Sequence, residues 1–88
     1  MGKFIIMCGG GFPTYCENQI ILADLPNELK KIDLFDTVAD AKKRILEIRK
    51  NKHYKYEDFE IMKILNYEAL IDGDLTNLEY VETVFGGA

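Results

Sequence analysis

The sequence has one histidine, His53, and two cysteines, Cys8 and Cys16, and that scarcity leaves catalysis few parts to work with. Thiol catalysis needs a base beside the nucleophile and a third group to orient that base. His53 stands among lysines at the end of a helical pattern, where a solvated surface residue is the simpler reading. A structural zinc site draws on a Cys/His ligand set with C-x₂₋₄-C spacing, and neither the number nor the spacing is present. The expectation is a protein that is not an enzyme and holds no metal or cofactor. Long apolar runs are missing too, since nothing approaches the roughly 18 residues of a membrane span. The apolar stretch at residues 4–8 ends in glycines and is shorter than the roughly 7–15 apolar residues of a signal peptide. A cytoplasmic chain with no membrane association is expected, and both cysteines then read as free thiols. There are no internal repeats, no low-complexity tract and no domain linker.

What is present is a sequence of 88 residues with ordinary hydrophobic content, 48%, enough to fold. At that size residues 1–88 form one domain, whose realistic ceiling is a sheet with one or two helices against it. The net charge of −4 hides a strong asymmetry. Residues 1–41 carry −3, residues 42–56 carry +6 and residues 57–88 carry −7. A charge dipole of this kind steers partners.

Residues 3–8 (KFIIMC) are apolar on both faces and predict a central strand. Gly9, Gly10 and Gly11, followed by Phe12-Pro13-Thr14, predict a flexible connection. Residues 19–23 (QIILA) predict a second strand, antiparallel to the first, and Pro26-Asn27 ends it. Residues 31–35 (KIDLF) alternate as a short third strand or an extended lead-in. Thr37 is a helix N-cap with Asp40 three residues on, resembling a capping box with Asp for Glu. Val38, Ala41, Ile45 and Ile48 then make one buried stripe, with Lys42, Lys43, Arg44 and Glu47 on the other face. Arg49, Lys50, Lys52 and His53 crowd the helix end, and Asn51 or Lys52 is the expected stop. Residues 59–65 (FEIMKIL) predict a strand and Asp72-Gly73 a turn. Beyond it, Leu75, Leu78 and Val81 fit helical turns capped by Asp74, while residues 78–85 fit an edge strand equally well. The result is an α+β domain, a mostly antiparallel sheet in β-β-(β)-α-β order. One long helix packs on one face, and the other is left partly open.

Three surfaces are candidates for function. The glycine run follows a strand, as a phosphate-binding turn should, but no helix opens after it and neither nucleotide motif is present. If it bound a phosphorylated ligand, the N–H groups of Gly9 to Gly11 would be the contacts; a hairpin connection is the simpler reading. The basic stretch from Lys42 to Lys55, with Tyr54 and Tyr56, suits phosphates and base stacking. The acidic remainder of the chain favours a solvated helix face there, so direct nucleic-acid binding is not expected. The acidic final third interleaves acids with aromatics. Glu57, Asp58, Tyr67, Glu68, Asp72, Asp74, Glu79, Tyr80 and Glu82 are the candidate partner-binding residues, the competing reading being an ordinary solvated surface. Charge complementarity steers encounter with a basic protein surface, and aromatics supply buried anchors. The basic nucleic-acid channel of a nuclease or similar complex is one such surface.

Two resemblances bear on this. Residues 36–45 (DTVADAKKRI) resemble the start of the central helix in ubiquitin and its relatives, and Leu70-Ile71-Asp72-Gly73 resembles that family's turn after its third strand. The sequence closes on Phe85-Gly86-Gly87-Ala88, similar to the Gly-Gly end of ubiquitin-like modifiers and sulfur carriers. The resemblance implies a β-grasp fold and activation at Gly87 once Ala88 is removed. The second resemblance is one of type. Small, acidic, lysine- and isoleucine-rich α+β chains with a strand–(F-x-T-x-x-A)–helix–strand pattern resemble orphan products of bacteriophages, anti-CRISPR proteins among them. Here Phe35 and Thr37 match that pattern, with the alanine displaced to Ala41. This resemblance implies stoichiometric inhibition of a defence nuclease by binding. The leading expectation is therefore a non-enzymatic interaction module of the inhibitor type. A ubiquitin-like modifier or sulfur carrier is the first alternative, and a nucleotide-binding sponge using the glycine loop the second.

Overall fold

A computed structural model describes residues 2–16, 19–24 and 32–86, with the side chains of Tyr15 and Cys16 outside that description. The predicted break at Pro26-Asn27, the start of the 31–35 segment at Lys31, the Cys16 thiol, Gly87 and Ala88 all lie outside the described residues. The order is β1 (Phe4–Met7), β2 (Phe12–Cys16), β3 (Gln19–Ala23), α1 (Val38–Ile48), β4 (Phe59–Ile64), α2 (Tyr67–Ile71) and β5 (Leu78–Val84). The α+β class, the antiparallel pairing and the single long helix on one face are as the sequence predicts. Among the described residues, no helix is long and apolar enough to cross a membrane.

The strand pairing differs from expectation. β1 pairs with β4 and β4 with β5, so β4 is the central strand and β1 lies at an edge. The residues 19–23 strand pairs with Phe12–Cys16, whose first three residues, Phe12-Pro13-Thr14, the sequence reading assigned to a flexible connection. The reason lies in the glycines. Gly9 and Gly10 have φ of 56° and 85°, and Cys8 and Gly11 exchange backbone hydrogen bonds across them at 2.8 and 3.0 Å. Two positive-φ residues inside such a pair make a tight hairpin turn, the geometry that glycine permits without steric cost. The chain therefore reverses at once and β2 starts at Phe12. Pro13 sits opposite Leu22 in a two-stranded ribbon, where a missing N–H is tolerated.

β1 is apolar on both faces because both are covered. Ile6 packs with Phe59, Ile61, Phe35 and Cys8 beneath Ala41, Ile45 and Ile48 of α1. Ile5 packs on the opposite side with Phe12, Ala23, Ile32, Ile64 and Leu70. The second face is thus closed by the β2–β3 ribbon and by α2, and the open face expected from sequence is absent. Each fully buried Ile or Leu in these layers contributes about 1.5–3 kcal/mol. Residues 32–35 form an extended lead-in whose Phe35 makes an isolated bridge to Phe4 rather than a strand. The Thr14 hydroxyl, 1% exposed, accepts from Asp33 N–H at 3.2 Å and fastens that lead-in to β2.

α1 begins as predicted, with Thr37 Oγ1 accepting from Asp40 N–H at 3.1 Å. It stops at Ile48 with Arg49 as C-cap, three or four residues before the predicted stop, and a short 3-10 turn at Lys52–Tyr54 follows. The sequence does not announce α2. Its five residues are held at the start by Asn66 Oδ1, which accepts from Ala69 N–H at 3.0 Å. They are closed by Gly73 (φ 98°), with Gly73 N–H bonded to Leu70 O and Asp74 N–H to Ala69 O, a Schellman ending. The ambiguous last segment resolves as both options in succession: a 3-10 turn at Leu75–Asn77 capped by Asp74, then the edge strand β5.

Candidate interaction surface

The candidate partner-binding residues are spread along the whole length of β4, whose two ends lie about 20 Å apart, rather than gathered at one place. Glu57 and Asp58 precede β4, and Glu82 stands beside Ile61 in its first half. Tyr67, Glu68, Asp72 and Asp74 belong to α2 and the turn after it, near the start of β5, where Glu79 and Tyr80 follow. Glu79 opposes Lys63 and Tyr80 opposes Met62, so the two side chains leave β5 on opposite faces. One continuous acidic face through all nine residues is therefore not formed.

Several of these acids hold the fold. Asp58 Oδ1 accepts from Gly86 N–H at 2.7 Å. Glu82 pairs with Lys42 of α1 at 2.6 Å. Asp74 Oδ1 accepts from Thr76 N–H at 3.1 Å and from its hydroxyl at 2.5 Å, and these bonds hold the carboxyl below its ordinary value of 3.8. Arg49, at the end of α1, donates through Nη2 to the carbonyls of Val84 (2.9 Å), Phe85 (2.5 Å) and Glu57 (3.3 Å). Together Arg49 and Asp58 fasten residues 84–86 against the start of β4. An added Cβ on Gly86 would collide with the Tyr56 carbonyl oxygen.

Glu68 and Asp72 differ from these. They lie one turn apart on α2, both exposed, and neither carboxylate has a hydrogen-bond or ion-pair partner among the described residues. Like charges at this spacing repel by a few tenths of a kcal/mol, and Asp72 stands where a helix end disfavours an anion. Around them the same end of the molecule exposes Leu65 (53%) and Leu75 (57%), whereas Tyr80 stands opposite Met62 in mid-sheet with its hydroxyl 2.6 Å from Thr83 Oγ1, away from α2. Tyr67 is half-buried and borders an open concavity of about 400 Å³ shared with Gly2, Lys3, Lys63, Ile64 and Leu65. Leu65 and Leu75 were not among the predicted residues. Leu75 was legible only as a member of a helical stripe, and Leu65 only as the end of a strand.

The other candidate chemistries lose parts on folding. Gly11 N–H is spent on Cys8 O, so the glycine loop does not offer three free amides. Tyr54 packs against the α1 core and tilts on Phe59, ring centroids 6.4 Å apart, away from a stacking role. Cys8 is buried, and burial, with Glu57 and Asp58 acting in the same direction, pushes its thiol above the ordinary 9.0, the opposite of an activated nucleophile. Among the described residues, no three His, Cys, Asp or Glu side chains converge as metal ligands. No family model, curated protein or solved structure matches this chain.

Proposed function

We propose that the chain is a non-enzymatic protein-binding module. In this reading it docks on a basic partner surface through the α2 end: Glu68 and Asp72, with Leu65 and Leu75 exposed at the same end. The observation that carries it is the placement of Glu68 and Asp72. Both carboxylates are exposed and without a partner among the described residues, set one turn apart where like charges repel, and at the end of the molecule that exposes Leu65 and Leu75. A cation from a partner relieves that repulsion, and the two leucines supply contact area. Surfaces that carry nucleic acid are rich in Lys and Arg, so we read the module as an inhibitor that occupies such a surface in a nucleic-acid-processing complex. The modifier reading is weaker here because Gly86, the first glycine of the tail, is fastened by Asp58.

The test is affinity purification with the chain and its Glu68→Lys/Asp72→Lys variant as parallel baits, read by mass spectrometry. Proteins with basic nucleic-acid-binding surfaces are expected on the native bait and not on the variant, with unchanged circular dichroism. Identical capture by the two baits sinks the proposal. Asp74 and Glu82 are left alone because they hold a turn and an ion pair.

A further inference from the structure

The three-stranded sheet has two edges, and they are treated differently. The outer edge of β1 is occupied: Lys3 and Phe4 N–H donate to Phe35 O, Phe35 N–H donates to Phe4 O, and Cys8 pairs with Gly11. The outer edge of β5 pairs with no strand among the described residues, although β5 runs for seven residues. Proteins that only need to protect such an edge use charge, a bulge or shortness. β5 has the bulge, at the register shift between Ile61 and Met62, and it has Glu79 and Glu82. Yet alongside it lies an open groove of about 390 Å³, lined by Lys42 and Leu46 of α1 and by Glu82, Thr83, Val84 and Phe85. Leu46 is 64% exposed and Phe85 72%. Large apolar groups beside an unpaired strand work against protection and favour recruitment.

We infer that the β5 edge accepts an extended segment of a protein partner as an added strand, with one apolar side chain of that segment seated in the Leu46–Phe85 groove. Main-chain hydrogen bonds along an edge supply affinity, and pockets for alternate side chains supply selection. Glu79 and Glu82 lie on the α1 side of β5, judged by their partners Lys63 and Ile61; Glu82 is engaged by Lys42, and Glu79 is the carboxylate that an added strand meets with Lys or Arg on that side. A second copy of this chain is disfavoured as occupant, because its own Glu79 would bring another carboxylate to the same seam. The inference deepens the protein-binding reading, on which it rests, by naming the binding mode and a seam distinct from Glu68 and Asp72.

The experiment is selection of a random linear peptide library on the immobilised chain, followed by amide chemical-shift mapping of selected peptides. Selected peptides are expected to alternate apolar residues with Lys or Arg, to lack internal proline, and to perturb amides of β5 and of Leu46. Leu46→Gln, at an exposed helix position, should weaken them about tenfold or more, while Glu68→Lys/Asp72→Lys leaves their affinity within about threefold. A library that yields no binder, or affinity indifferent to Leu46→Gln, overturns the inference. Peptides that map to α2 and depend on Glu68 and Asp72 overturn strand addition but leave the protein-binding reading standing.

Discussion

Replacing Arg49 with Met tests how the end of the described chain is held. The substitution keeps most of the apolar stem and removes the guanidinium, so packing is largely conserved. What is lost is donation from Nη2 to the carbonyls of Val84, Phe85 and Glu57, and the seat of the guanidinium 5.5 Å above the Phe59 ring. Charged hydrogen bonds are worth about 1.5–3 kcal/mol net, and the low end applies because Phe85 is exposed. The ring contact adds about 0.5–1 kcal/mol. Against this, Arg49 Nε is buried without a partner, and removing it returns roughly 1 kcal/mol. The balance is about 1–2 kcal/mol, which in a domain of this size lowers Tm by roughly 5–15 °C. Thermal unfolding followed by circular dichroism measures it. Asp58→Ala in a double-mutant cycle sharpens the test, since Asp58 holds Gly86 next to the carbonyls that Arg49 holds. The two losses should then be non-additive by about 0.5 kcal/mol or more. A shift in Tm below about 2 °C for Arg49→Met, or strict additivity with Asp58→Ala, would refute the idea that these residues act as one fastening.

Two further outcomes follow from the turn between α2 and β5. Gly73→Ala places a side chain at φ 98° and should cost about 1–2 kcal/mol, read as a lower urea midpoint with unchanged slope; an unchanged midpoint would show that the turn relaxes freely. Asp74 has a folded pKa below 3.8, chiefly through its bonds to Thr76, so its contribution is present above that value and is lost as pH falls through the folded pKa. Tm measured from about pH 5 down to about pH 2 should therefore fall less steeply in Asp74→Ala than in the native chain, and parallel curves would contradict the assignment.

What the sequence made legible is what depends on near neighbours. Thr37 and the stripe through Val38, Ala41, Ile45 and Ile48 specify α1 because cap and face are set within a few turns. Its end is less legible: Arg49 keeps an αR backbone as C-cap while its side chain reaches the carbonyls of residues 84 and 85, contacts remote in sequence. β2 was missed because three glycines and Pro13 carry the composition of a loop, whereas a tight hairpin needs positive φ at two of them and a two-stranded ribbon tolerates the proline. α2 was missed because five residues are too few to display a 3.6 period, and only Leu70 is buried. The fate of Leu46 was partly readable. It stands one place off the buried stripe, which marks a leucine on the polar side of the helix.

The charge pattern was legible as sums and illegible as pairs, and the difference decides where function is sought. The +6 of residues 42–56 is partly spent within the fold, and the ion pair Lys42–Glu82 joins it to the −7 of residues 57–88. Lys42 meets Glu82, Arg44 meets Asp33 and Glu47, and Arg49 is committed to backbone carbonyls. Three of the seven cations in that stretch thus have partners within the molecule, and Tyr54 joins the core, so the basic helix loses the stacked, continuous surface that nucleic acid would need. On the acidic side Asp58, Asp74 and Glu82 are similarly occupied. Charges engaged in this way report on folding, and reversing them would confuse lost binding with lost structure. Glu68 and Asp72 have no such employment, which makes them the cleanest place to separate the two.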